Sequence, residues 1–379
     1  MVCKPIFSAL VPFVVLPLAA CSASQPAPQP KAETAPKAKS VAVTPAVSQP
    51  KLTADSRTRP KPGELKTFTD WTVGCDNTLR CTLGSLLPEM GGEDMTTLNL
   101  SREPGPVTAG GGKISLALET SNDVEATKRP PVSFAVDGKR IALHDATALA
   151  AAIANAQSLK ILNAKGGTLA TLSLKGAAAA LRYIDAQQGR AGSIDAIVAK
   201  GAAPSSAPIP SLPIITAITP SGPPAKLTGA QVATMRKRAT CDLGSFPDGA
   251  GESITTPETY ALGGGKSLVM LPCSTGAYNL IGALFIVDGT RITPAQLDAR
   301  SGFEVTGVDT GTSVKSVING EFKDGVLTSY AKGRGLGDCG SRQGFVWDAT
   351  RFRLSEQADM GECRGNIDYI TTWRAKVIR

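Results

Sequence analysis

Histidine is almost missing from this chain: His144 is the only one in 379 residues. With one imidazole, a Ser-His-Asp or Cys-His catalytic set has a single place to form, and zinc sites built on paired histidines are excluded. His144 follows a predicted strand and directly precedes a helix cap, a position that suits an edge or capping role better than a general base. No two cysteines have Cys-x-x-Cys spacing, which removes the usual zinc cluster as well. Aromatic residues make up only 5% of the chain, with three tryptophans. Trp71, Trp347 and Trp373 have the chemistry to stack on sugar rings, but core packing is the default for the first two. Long apolar runs are missing too. The longest, Pro5 to Leu18, has 14 residues, well short of the about 20 that a spanning helix needs.

What is present begins at that run. Lys4 precedes it as a short positive segment, and Leu18-Ala19-Ala20-Cys21 closes it. This is the layout of a secretory signal, residues 1–20. Leu-Ala-Ala-Cys resembles the lipobox of bacterial lipoproteins, and the resemblance implies that Cys21 is acylated and becomes the mature N-terminus. Two or more acyl chains hold a membrane stably. Ser22 follows, where Asp would favour the inner membrane in the sorting rule of Gram-negative bacteria. The expected location is therefore the outer membrane, facing the periplasm, with Cys21 as the lipid anchor.

Residues 21–66 are rich in Pro, Ala, Lys, Ser and Thr and contain no aromatic residue. Such a segment buries too little surface to offset its ordering entropy, so it reads as a disordered tether stiffened by eight prolines. A second Pro-rich stretch, 201–230, reads as a connector. Between and beyond them lie two expected domains, 67–200 and 231–379. The formal charge is +8. Outside the cytoplasm this balance does not point to nucleic acid; an anionic envelope polymer or a periplasmic protein is the more available partner.

An exported chain with six remaining cysteines reads as a disulfide framework. Six cysteines allow 15 connectivities. Loop closure and domain membership favour Cys75–Cys81, Cys241–Cys273 and Cys339–Cys363.

Alternation at Trp71, Val73 and Cys75 predicts a strand, and another follows from Cys81. Val132-Ser-Phe-Ala-Val136 and Lys139 to Leu143 flank Asp137-Gly138, a hairpin signature. Asp145 caps a predicted helix to Asn155, and Gly176 to Gly189 predicts a second. Beyond the connector, Lys266–Cys273, Ala283–Val287, Glu321–Ser329 and Phe345–Leu354 read as strands joined by Asp-Gly and Asp-Ala turns. The expected fold is β-rich α+β: two antiparallel sandwich- or barrel-like domains with a few short helices.

Five motifs carry a family resemblance: FTDWTVGCDNTLRCT (68–82), SLKGAAAALRYIDAQQGR (173–190), LPCSTGAYN (271–279), AKGRGLGDCG (331–340) and FVWDATRFRL (345–354). Together they resemble the bacterial envelope proteins of domain-of-unknown-function family 1176. Trp71–Cys75 and Ser173–Leu181 also resemble segments of the invasion-associated locus B family. Neither resemblance implies a catalytic residue, ligand or cofactor.

Gly335-Leu-Gly-Asp-Cys-Gly340 spells G-x-G-x-x-G, the dinucleotide fingerprint. That motif needs a helix after it, and Ser341 onward reads as strand, so no nucleotide is expected. Gly263 to Ser267 mimics a P-loop but lacks the first glycine, since Tyr260 stands there. The alternative use of the 332–340 loop is as a ligand surface offering Lys332, Arg334 and Asp338 to an anionic sugar, a phosphate or a partner carboxylate. A carboxylate pair, Asp338 with Asp348, is the one route to glycan hydrolysis that needs no histidine. The expectation is a non-catalytic binding or adaptor protein without cofactor or metal. The alternatives are a carboxylate-dependent glycan hydrolase and a purely structural envelope component.

Overall fold

Alternating apolar residues and short turns build a succession of antiparallel strands. A computed structural model describes residues 59–89, 95–120, 130–247, 252–302, 306, 308 and 311–379. The signal, Cys21 and the tether up to residue 58 lie outside the described residues.

The first sheet is a meander of β1 (Lys66–Phe68), β2 (Trp71–Cys75), β3 (Cys81–Ser85), β4 (Thr97–Arg102) and β5 (Ile114–Glu119), paired in chain order. Cys75 and Cys81 stand opposite each other in the β2–β3 register and form a disulfide. The second sheet contains β6 (Pro131–Val136), β7 (Lys139–Ala142), β8 (Leu159–Asn163) and β9 (Thr168–Leu172), in the order β7-β6-β8-β9. Asp137 and Gly138 join β6 to β7, both at positive φ (47° and 81°), the backbone that a two-residue hairpin turn needs.

Two helices cover these sheets. In α1 (Ala146–Ile153) the Asp145 carboxylate accepts the Ala148 N–H and so caps the first turn. In α2 (Ala177–Gln187), Ala177, Ala180, Leu181 and Ile184 recur at helical spacing and are buried. Their apolar face meets Trp71, Val73 and Leu100 of the first sheet and Phe134 and Ile161 of the second in one core.

The remaining sequence forms two stacked sheets. One contains β11 (Glu258–Gly263), β12 (Lys266–Thr275), β13 (Leu280–Asp288) and β14 (Arg291–Pro294), with β15 (Lys315–Ile318) also on β13. The other runs β16 (Glu321–Lys323), β17 (Val326–Lys332), β18 (Gly340–Trp347), β19 (Phe352–Met360) and β20 (Ile370–Arg374), in chain order. Leu268, Met270 and Leu284 of the first of these meet Phe345, Phe352 and Leu354 of the second. This is sandwich packing, and none of the sheets closes into a barrel among the described residues. Helix α3 (Gly229–Arg238) covers the outer face of β12 and β13, near the Cys241–Cys273 disulfide. Part of the Pro-rich stretch is ordered: β10 (Ile214–Thr216) pairs parallel with β21 (Lys376–Ile378).

Residues 361–374 return to the first sheet. Arg364 donates to the carbonyls of Leu87 and Thr69, 2.7 Å each, and pairs with Asp70 at 2.6 Å. Asn366 donates to the Ser85 carbonyl (2.9 Å) and to Asn99 Oδ1 (2.8 Å), and Asn99 donates back to the Asp368 carbonyl (2.9 Å). Arg374 pairs with Asp76. β2 is accordingly buried along its whole length, with α2 on one face and β20 on the other. Residues from both sides of the Pro-rich stretch thus share one junction.

Candidate functional site

Beside that junction the outer faces of the first and last sheets diverge into an open cleft of about 750 Å³. This is the size of an ordinary small-ligand site. Thr82 and Ser101 project from neighbouring positions of β3 and β4, their hydroxyls 2.7 Å apart. Arg80 stands at the rim in a 2.7 Å pair with Glu103. The opposite wall is built by Thr328 and Tyr330 of β17, Arg342 of β18 and Glu356 of β19, with Asp368 and Tyr369 at the base.

The centre of that wall is a guanidinium held by two phenols. The Arg342 Cζ lies 4.6 Å from the Tyr330 ring centroid and 4.4 Å from that of Tyr369. The rings meet edge to face, 6.0 Å apart. Each such cation–ring contact is worth about 0.5–1 kcal/mol at an exposed site, enough to orient the side chain. Both phenols donate to the Gly337 carbonyl, at 2.9 Å from Tyr330 and 3.1 Å from Tyr369. Burial, then the neighbouring Tyr330 hydroxyl, pushes the Tyr369 hydroxyl far above its ordinary value and keeps it neutral. Among the described residues the Arg342 side chain has no ion pair, and its one hydrogen bond is a 3.4 Å contact to the Tyr330 hydroxyl. Burial also raises the Asp368 carboxyl, an effect the Arg342 charge only partly offsets. The Asp368 carboxylate accepts no hydrogen bond from the described residues.

The glycine-rich loop of the sequence reading turns out to support this pair. It links two antiparallel strands, β17 and β18, and no helix follows. Gly337 has φ 67°, and a Cβ there would stand 2.5 Å from the Tyr330 hydroxyl. At Gly340 (φ 136°) a Cβ would fall 1.9 Å from the Ala331 carbonyl. Two of the three glycines in the G-x-G-x-x-G spelling therefore serve close packing. The Cys339–Cys363 disulfide fastens the loop to the segment that carries Asp368 and Tyr369.

The three residues singled out in that loop separate. Asp338 is 1% exposed, and its carboxylate accepts from Arg334 (2.7 Å to Nε) and from the Gly365 N–H (2.6 Å). Both partners belong to the protein, so Asp338 is part of the scaffold. Arg334 is half-exposed, with part of its donor set committed to Asp338. The backbone of Lys332 is gripped by Asn279, which donates to its carbonyl (2.9 Å) and accepts its N–H (3.1 Å). Its ammonium lies 5.4 Å from the Tyr330 ring centroid. Asp338 and Asp348 flank opposite ends of β18, an extended eight-residue strand about 26 Å long, so they do not form a carboxylate pair. Asp348 instead caps its own turn, accepting from Thr350 and Arg351. His144 is exposed before the α1 cap. Trp71 donates to the Ser173 carbonyl and Trp373 to that of Leu354, and Trp347 packs on Phe352; none lines the cleft. Cys21 lies outside the described residues.

Tyr330, Arg342, Asp368 and Tyr369 were not singled out from the sequence. One signal was there. In Val326-Leu-Thr-Ser-Tyr-Ala-Lys332 the buried positions alternate, leaving Thr328, Tyr330 and Lys332 on the other face, and an aromatic on a strand's polar face marks a surface with a use. Its pairing with Tyr369 depends on a fold-back between residues 39 apart in sequence, which no local pattern encodes.

Residues 65–376 match the family described as Protein of unknown function (DUF1176). The uncharacterized protein YpfG of Escherichia coli (strain K12) is 28% identical over 326 residues, covering 79% of this chain and 88% of the relative. No solved structure matches. A match that begins just before β1 and ends at the first residue of β21 takes in both walls of the cleft and the loop behind it, and the chain belongs to the DUF1176 family.

Proposed function

We propose that this protein is a non-catalytic binding or adaptor protein of the bacterial envelope, anchored through Cys21 to the periplasmic face of the outer membrane. It presents the cleft between its first and last sheets to an envelope polymer or a periplasmic protein. The observation that carries the reading is the Arg342 guanidinium held between Tyr330 and Tyr369 with no ion pair within 4 Å among the described residues. Orienting a cation without neutralising it suits recognition of something outside the chain. The signal-like residues 1–21 and the disulfides support an exported, anchored protein. The Lys332 ammonium, 5.4 Å from the Tyr330 ring centroid, adds a cation beside the tyrosine end of the cleft.

The test is in-cell photo-crosslinking with the reactive residue at Thr328 or Ser355, which line the cleft, against Lys165, exposed on the distant β8–β9 turn. A discrete product from both cleft positions and none from Lys165 is expected. Lys332→Ala/Arg334→Ala should reduce its yield. No cleft-specific product overturns the reading. Cys21→Ser should release the protein from the outer-membrane fraction; unchanged fractionation sinks the anchor.

A hydrolytic reading has one observation behind it. Glu356 and Asp368 both line the cleft, and burial raises the Asp368 carboxyl as a general acid requires. Turnover of the captured material, abolished in both Glu356→Gln and Asp368→Asn, would establish it. The binding reading expects no turnover.

A further inference from the structure

We infer that the cleft takes a saccharide carrying one carboxylate per residue recognised, with Arg342 as the receptor for that carboxylate and Asp368 as acceptor for a hydroxyl or amide N–H beside it. This rests on the reading of the cleft as a binding site and names the class of its ligand.

Charge sets the first limit. The charged side chains lining the cleft are Arg80, Arg342, Glu356 and Asp368, and Arg80 is already paired with Glu103. Within the lining one unpaired cation faces two carboxylates, with the Lys332 ammonium outside it beside Tyr330. A polyanion such as a phosphate cluster or a nucleic acid would set several charges against one oriented guanidinium and two carboxylates. A single carboxylate matches a single planar guanidinium, whose fork fits two carboxylate oxygens.

Backbone geometry sets the second limit. A peptide is commonly read by adding a strand to a free sheet edge. The cleft, however, is lined by interior strands: β3 and β4 in the first sheet, and β17, β18 and β19 in the last. Their main-chain groups are spent in ladders. The outer edge of β20 is taken as well, by Gly63 and Asn77. β5 is the outermost strand of its sheet and contributes only Ala117. Recognition therefore falls to side chains: apolar ones such as Val326, Ala358 and Ile367, and hydroxyls, Thr82 and Ser101 on one wall, Thr328 and Ser355 on the other. Thr328 and Ser355 donate to the Glu321 and Gly344 carbonyls and keep acceptor capacity for a ligand. Hydroxyl walls around one oriented cation complement a ring rich in hydroxyls that bears one acid group.

Asp368 completes the complementarity. Its carboxyl lies in the cleft without a hydrogen-bond donor among the described residues, while its neighbour Asn366 and its own carbonyl are locked into the first sheet. A ligand hydroxyl or acetamido N–H would supply the missing donor.

The experiment is calorimetric titration of the full chain with three acidic probes: trigalacturonic acid, sialyllactose and N-acetylmuramic acid. Controls are the methyl ester of trigalacturonic acid, which keeps the rings and removes the charge, a glutamate-rich peptide, and inorganic phosphate. At least one acidic saccharide should bind, and its uncharged counterpart should bind about tenfold or more weakly. Arg342→Gln should weaken the acid by the same factor and leave the ester unchanged. Arg342 is exposed, so the variant should retain the wild-type melting curve, and that curve is checked first. If none of the three acids binds, if ester and acid bind alike, or if the peptide or phosphate binds more tightly, the inference is overturned. In-cell capture of a protein or a neutral polymer at Thr328 overturns it too, while leaving the broader binding role in place. Absence of any cleft product removes both.

Discussion

Asp338 and Asp368 are carboxylates near the two ends of one disulfide-closed segment, and their environments push them in opposite directions. Burial alone would raise the Asp338 carboxyl, but hydrogen bonds from Arg334 and the Gly365 N–H, with the Arg334 charge, outweigh it and hold it below the ordinary value of 3.8. A carboxyl depressed by folding contributes stability above its unfolded value, and that stability is lost as pH falls through the folded value. Asp70 and Asp348 are depressed in the same sense. Thermal stability should therefore fall as pH drops below about 4. Asp338→Asn should remove part of that acid limb and cost about 2 kcal/mol at pH 7, read by thermal unfolding across pH. Asp368 has the reverse sign. Its carboxyl is raised by folding, so ionising it works against the native state at neutral pH. Asp368→Asn should raise the melting temperature at pH 7 by about 1–2 °C, and the gain should vanish below about pH 4, where both states hold a neutral group. A wild-type residue that costs stability at working pH is what a binding role predicts. Equal melting curves at pH 7 would remove that support.

The loop between β17 and β18 holds both tyrosine hydroxyls through one carbonyl, that of Gly337. Gly337→Ala should cost about 1–2 kcal/mol, because an alanine is strained at φ 67° and its Cβ meets the Tyr330 hydroxyl. Near-ultraviolet circular dichroism should change while the far-ultraviolet spectrum, which reports the strands, stays the same. Opening the Cys339–Cys363 bridge by Cys339→Ala/Cys363→Ala should cost about 2–4 kcal/mol and loosen the same tyrosines. Local grammar made many of these elements readable in advance. Asp137-Gly138 sits in the hairpin turn, Asp145 caps its helix, and Asp324-Gly325 turns β16 into β17, because two or four residues suffice to encode each. Helix α3 carried an equally local signal, Thr228 and Gln231 in a capping box, that the sequence reading did not use, ending the connector at residue 230 instead. The parallel pairing of β10 with β21 had no local signal at all, since its partners lie about 160 residues apart and are brought together by packing on Val326 and Val346.

At the scale of the whole molecule, the junction between residues 361–374 and the first sheet decides whether the cleft has two walls. Arg364 alone supplies three hydrogen bonds to carbonyl and carboxylate acceptors. Arg364→Ala should cost about 2–3 kcal/mol and leave Asp70 less depressed, shifting the acid limb upward in pH. The cleft was not legible in the sequence for the same reason. The 331–340 motif read as candidate chemistry and the motifs 68–82 and 173–190 as family markers, and the structure spends much of the polar content of all three inward. Asp70 holds Ser173 and Arg364, Asp185 holds Arg102 at 2.8 Å, and Asp338 holds Arg334. Buried ion pairs and exposed ligand contacts draw on the same residue types, and only the third dimension separates them.

The docking of β20 onto β2 also constrains how the chain is made. A polypeptide emerges N-terminus first, so β1 to β5 exist before the strand that covers their second face. At about 5–20 residues per second, the roughly 245 residues between β5 and Arg364 impose a delay on the order of 10–50 s. Through that interval Thr72, Gly74 and Gly84 lie on an uncovered sheet face that residues 361–374 later cover. A chain halted before residue 361 would leave that face without its cover and should aggregate or be degraded rather than persist as a stable fragment.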